Sequence, residues 1–238
     1  MQKRLLDALE EARLVLEAVI RGEYCCLRHG LPYVTPGLLG EQAFCEKRLD
    51  FRLALGEERE PPPSPVQARK LLEAVLGAKR RLWTGREEVV TVPLASIVQG
   101  VPMAGRPPAM ALGEGCVAAL YLVKVTGRHR LYPSDRVKAY AYALLAEAAG
   151  IACSDMKIAV VTTGEPLGLA ELRGLLPEPR RPRPRAGEEA AIHVLAHDPS
   201  EEERLLSPLL AYWRMERGPA PRRGPWCGKC PYRDRCSP

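Results

Sequence analysis

Residues 120–151 read LYLVKVTGRHRLYPSDRVKAYAYALLAEAAGI. The stretch changes its period once. Up to Thr126 it completes an apolar, β-branched run that begins at Val117, as a buried strand requires. Ser134 to Ala149 has the spacing of a helix, with Ser134 placed as N-cap and Gly150 as the stop. Further strand-like runs lie at 88–101, 156–163 and 190–196, and Pro93 predicts an edge position or a break in the first. The fold class read from this order is α/β (α+β), a central mixed β-sheet flanked by helices.

The flanking parts follow from the same spacing rules. Leu5, Leu6, Leu9, Ala12, Leu16, Val19 and Ile20 predict an amphipathic helix over 2–21, ended by Gly22. A second helix is expected from Leu38 to Leu55 with Cys45 in its middle, and a third from Val66 to Arg81 after the break at Pro61, Pro62 and Pro63. Residues 177–189, with the run Arg180 to Arg185, read as an exposed loop. A last helix is expected from Ser200 to Arg217. The organisation is a helical extension (1–34), a helical part (35–85), an α/β core (86–199) and a C-terminal helix with a cysteine tail (200–238).

That tail, PWCGKCPYRDRCS over 225–237, places Cys227, Cys230 and Cys236 with two and then five residues between them. Three thiolates this close call for a fourth ligand, and a [4Fe–4S] cluster or a structural Zn²⁺ are the usual occupants. Spacing does not choose between them. Cys45 is the preferred fourth ligand because Leu49 and Leu53 share its helix face; Cys25 and Cys26 are the rivals. Cys116 and Cys153 read as small buried hydrophobes. His29, His129, His193 and His197 show no ligand spacing and read as surface or strand-edge residues.

The 238 residues carry a net charge of +6, with 46% hydrophobic and 27% charged residues, the balance of a globular chain that admits nucleic acid as a partner. No run is long and apolar enough to span a membrane, and the first residues are not those of a signal peptide. The expected location is the cytoplasm, where the 8 cysteines read as ligands and thiols rather than disulfides. The 23 prolines and the excess of arginine suggest a hot environment.

Lys124 at the end of a strand, the helix carrying YAYALL, an upstream helix with one cysteine and the closing cysteine trio together resemble the RecB-like nucleases of the PD-(D/E)xK superfamily. The branch they are most similar to is the iron–sulfur exonuclease family that accompanies CRISPR spacer integration (Cas-four-like). The resemblance covers about residues 35–238. It implies a [4Fe–4S] cluster on Cys45, Cys227, Cys230 and Cys236, single-stranded DNA or DNA ends as partner, and CRISPR integrase proteins or a second copy as further partners. Lys124 stands at the motif lysine and Tyr140 at the helix tyrosine. Other motif positions depart: Leu122 replaces the acid, Pro108 (or Pro107) the earlier aspartate, Leu71 or Leu72 the histidine and Arg136 the glutamine.

A leucine and a proline bind no divalent ion, so Mg²⁺ or Mn²⁺ is not expected at this nuclease site and Lys124 is a catalytic remnant. The expected protein is an inactivated nuclease-fold protein that binds DNA or a partner in CRISPR spacer acquisition or related DNA processing, with Lys124, Arg128, Arg136 and Tyr140 on the nucleic acid and Arg130, Lys138 and Tyr142 near them. The alternatives are an active metal-dependent single-stranded DNA exonuclease, using Glu114 or Asp135, and a packaging or assembly subunit.

Overall fold

Leu5, Leu9, Ala12, Leu16 and Val19 fall on one stripe of the first helix, α1 (Gln2–Ile20), and all are buried. Gly22, at φ +78°, ends it. The computed structural model describes residues 2–24, 27–57, 61–84, 89–113, 116–167 and 190–236. Cys25, Cys26, Glu114 and the arginine run 180–185 therefore lie outside the described residues.

Helix α1 lies along α4 (Pro65–Thr84), and the two are braced by Glu10, which accepts from Arg13 at 2.5 Å and from Lys79 at 2.5 Å. These donors, Arg13 first, hold the Glu10 carboxyl at about 2, below its ordinary 4.5. A depressed carboxyl adds stability above the unfolded value and loses it as pH falls through the folded one. The melting gap between the wild type and Glu10→Gln should be constant above pH 4.5 and close between 4.5 and 2. It should be small, because Glu10 is 40% exposed.

The stretch read as a second helix is two helices, α2 (Pro36–Phe44) and α3 (Glu46–Leu55), joined at Cys45 in extended conformation. Cys45 is thus the joint, not the middle of a helix. The run 88–101 also divides. Strand β1 (Val89–Val90) and strand β2 (Leu94–Val98) are separated across Pro93, which cannot donate to a ladder. Gln99 and Gly100, both at positive φ, then turn β2 into β3 (Val101–Gly105) as a two-stranded hairpin.

The main sheet has five strands in the order β1, β4 (Ala109–Leu112), β5 (Val117–Val125), β6 (Ala152–Thr163), β7 (Ala190–Ala196). Only β5 and β6 run parallel, as expected for strands joined through a helix, here α5 (Pro133–Ala148). This is the mixed sheet with flanking helices that the period changes predict. Side chains alternate across β5. Leu120 and Leu122 enter the main core, whereas Ala119 and Tyr121 join Ala159 and Val161 on the opposite face. The main core runs from Leu5 of α1 to Trp213 of the last helix, α6 (Pro199–Trp213), so the segment 1–34 shares one core with the rest.

Cys116 and Cys153 are not free thiols. They form a disulfide that ties the starts of β5 and β6, with Cα atoms 5.2 Å apart. Parallel neighbours at that separation meet the geometric requirement, which neither residue's spacing in sequence discloses. Among the described residues no helix is long and apolar enough to cross a membrane.

Candidate metal centre and basic cleft

The break at Cys45 exists because the tail returns to it. Glu46, 5% exposed, accepts from Arg217 at 2.5 and 2.7 Å and from the Ala220 N–H at 2.7 Å, while the Lys47 N–H donates to the Ala220 carbonyl at 3.2 Å. The unsatisfied donors of a new helix N-terminus are thus partly met by a partner far along the chain. Phe44 and Trp226 stack at 5.1 Å, Phe51 and Tyr232 at 5.6 Å, and the Tyr232 hydroxyl donates to Glu57 at 2.6 Å. The tail is therefore docked at separate points on the end of α2, on α3 and on Glu57 just beyond it.

Two single 3₁₀ turns, Pro225–Lys229 and Arg233–Arg235, present the tail cysteines. The Cys230 N–H closes back on the Cys227 carbonyl at 3.2 Å, and the Cys236 N–H on that of Tyr232 at 3.0 Å. Cys45, Cys227, Cys230 and Cys236 are all free, and all four line one cavity of about 710 Å³. Arg48, Arg222, Arg223, Lys229 and Arg233 also line it, and none of the described lining residues is acidic. Four thiolates around a metal carry net negative charge, so this potential suits an anionic centre. Zinc needs thiolate sulfurs about 3.8 Å apart, the tetrahedral edge for bonds of about 2.3 Å. Among the described residues the one group of three candidate ligands held within 4.8 Å is elsewhere, at Glu147, His197 and Glu202.

The positions that carry the nuclease resemblance are also neighbours. The β4–β5 register pairs Ala109 with Tyr121, which sets Pro108 opposite Leu122 one step further on. The two slots for acids thus face each other across adjacent strands, but Leu122 is 5% exposed and belongs to the core. Lys124 lies two residues along on the same face. Its amine bonds Asp135 at 2.7 Å and sits 4.5 Å from the centre of the Tyr132 ring. Asp135 also accepts from the Tyr132 N–H at 3.1 Å, making Tyr132 rather than Ser134 the N-cap of α5.

A second cavity, of about 570 Å³, lies between α2, α4 and α5. Leu71, one of the two positions expected to match the histidine, lines it and Leu72 does not, and Gly105, the glycine matched to the earlier motif, lines it as well. Gly105 is required there by close approach: a Cβ would come within 2.9 Å of Pro36 and 3.0 Å of Tyr142. Arg52, Lys70, Arg106 and Lys138 line the cleft against one acid, Glu41, and the Nε of Arg52 is buried without a hydrogen-bond partner.

The expected nucleic-acid set does not assemble there. Lys124, Arg128, Arg136 and Tyr140 are absent from the lining, although Lys138 is part of it. Tyr140 is 2% exposed with its hydroxyl on Glu201 at 3.1 Å, so it has no free face for a base. Burial, with Glu201 adding to it, pushes this phenol up to about 12. Tyr142 is buried too, bonded to the Arg106 carbonyl at 3.1 Å, because α5 is covered by α2 and α6 as well as by strands. Arg52, Lys70 and Arg106 were missed because each sits in a different segment; only the arginine at 106, beside the motif glycine, left a sequence signal.

Histidine 197 differs from its reading as a surface residue. Its side chain is 4% exposed and bonds Glu202 at 2.8 Å. His29 bonds both Asp50 at 3.1 Å and the Tyr212 hydroxyl at 3.0 Å, which ties the loop before α2 to α3 and α6.

No protein-family model matches the chain, and no curated protein matches it. The solved structure of SSO0001 is similar at 14% identity over 94% of each chain, with a TM-score of 0.42.

Proposed function

We propose that this chain is an iron–sulfur protein of nuclease-like descent that has lost hydrolysis and holds DNA by its phosphates. The observation that carries the reading is the enclosure of one cavity by the four expected cysteines, from residues 45 and 227–236. Cys45, Cys227, Cys230 and Cys236 would hold a [4Fe–4S] cluster, which would supply a rigid anchor for the tail and no hydrolytic step. The resemblance in the tail favours the cluster over zinc, which the same four thiols could also hold.

Loss of hydrolysis rests on the facing pair Pro108 and Leu122, neither of which offers a metal ligand. Asp135 is the acid that favours the rival reading of an active exonuclease, since it touches Lys124. It is already engaged by that amine and by the helix N-terminus, and a lone carboxylate makes a poor site for a hard dication. DNA is assigned to the cleft lined by Lys70, Arg106 and Lys138, where backbone phosphates would meet these cations beside Arg52, which is already paired with Glu41 at 2.8 Å. The resemblance in the sequence supports a role beside CRISPR integration enzymes as the setting to test.

The test joins DNA binding to DNA cleavage. A labelled single strand should bind with a steep salt dependence, and Arg106→Ala with Lys138→Ala should weaken it about tenfold and lower the salt slope by about one per lost contact. No digestion should occur with Mg²⁺ or Mn²⁺. Mn²⁺-dependent degradation that Lys124→Ala abolishes would overturn the reading in favour of an active exonuclease.

A further inference from the structure

Glu202 stands in the first turn of α6 with its side chain fully buried. Its Oε1 is well served, by His197 Nδ1 at 2.8 Å and by the Asp198 N–H at 3.1 Å. Its Oε2 is buried with no hydrogen-bond partner. A buried carboxylate oxygen left bare carries a desolvation cost that some cation or donor normally offsets. Glu147, at the exposed C-terminal end of α5, is the next acid, and one ligand atom from each of Glu147, His197 and Glu202 falls within 4.8 Å of the others.

That span is the width of one coordination sphere, since ligands on opposite sides of a metal with bonds of about 2.0–2.2 Å are about 4.4 Å apart. With its proton on Nε2, His197 presents the Nδ1 lone pair 2.8 Å from Glu202 Oε1, about the separation of adjacent ligands on one ion. The donor set of two carboxylates and one imidazole is that of a first-row divalent transition ion. Glu147 is exposed, which leaves a solvent route for the ion and room for water ligands.

We propose that Glu147, His197 and Glu202 bind one divalent transition-metal ion, which clasps the end of α5, the exit of β7 and the start of α6. The site is independent of the cysteine cavity and of the basic cleft, since it shares no residue with either.

Zn²⁺ would be captured by the four thiols, so the probe is Mn²⁺, which prefers oxygen and nitrogen donors. Titration of the full chain, followed by the loss of the free-ion paramagnetic resonance signal, should show one saturable ion. Glu147→Gln, at an exposed helix end, keeps the fold and should weaken binding by at least about tenfold. Mn²⁺ should also raise the melting temperature of the wild type but not of Glu147→Gln. Cys227→Ser should leave Mn²⁺ binding in place, which separates this site from the cysteine centre. No saturable binding, or binding unchanged by Glu147→Gln, would overturn the proposal.

Discussion

Cys227→Ser is expected to bleach the protein. Anaerobically purified wild type should be brown, with four irons and four sulfides expected for one [4Fe–4S] centre. Either Cys227→Ser or Cys45→Ser should remove most of that absorbance. Stability should fall with the colour, because a structural metal centre contributes its binding energy to folding, on the order of several kcal/mol. The loss should be local first. Residues 217–236 carry many arginines and should become the preferred tryptic site, while the sheet stays protected.

The disulfide supplies the control. Cys116→Ser removes a cross-link between residues 37 apart, at a cost of about 2–4 kcal/mol, and should leave the colour untouched. A Cys227→Ser protein with unchanged colour and melting would sink the cluster reading. A colourless wild type holding one zinc would replace iron by zinc and keep the four ligands.

The tail cysteines stand out in the sequence for a physical reason. Thiol pairs two residues apart in a proline-rich tail have few uses besides gripping one centre, and α1 and α5 announce themselves by period and by the glycines at 22 and 150. What stayed hidden depends on partners far along the chain. Apolar residues continue in phase from Leu38 through Leu49, so local pattern alone predicts one helix. The break at Cys45 is stabilised by Ala220 and Arg217, which no window around residue 45 contains. Strands β3 and β4 are short, with Pro102 inside the first and Pro107 and Pro108 between the two, and no strand-like run in the sequence marks either as a separate strand. The Glu147, His197 and Glu202 group and the Arg52, Lys70, Arg106 and Lys138 cleft draw on three or four segments each. Their spacing is set by packing alone.

Glu46→Ala should then reproduce much of the cysteine phenotype without touching a thiol. Glu46 sits at the centre of a buried polar chain. Trp213 donates to Gln42 at 2.8 Å, Gln42 donates to Glu46, and Glu46 receives the forked guanidinium of Arg217 and the Ala220 N–H. Removing one partner of such a pair leaves the other charge and a backbone donor unmet, at about 3–5 kcal/mol in a closed site. Arg217 is 32% exposed and can turn to water, so about 2–3 kcal/mol is expected. That energy is lost mainly from the docking of 217–236 on α3. Cys227, Cys230 and Cys236 then drift from Cys45, and iron content should fall while all four sulfurs remain. Glu46→Gln keeps the acceptor for Ala220 but not the charge, and should lie between wild type and Glu46→Ala in both melting temperature and iron. Full iron occupancy in a destabilised Glu46→Ala protein would mean that the cluster alone seats the tail, and that the polar chain beneath it is incidental to metal binding.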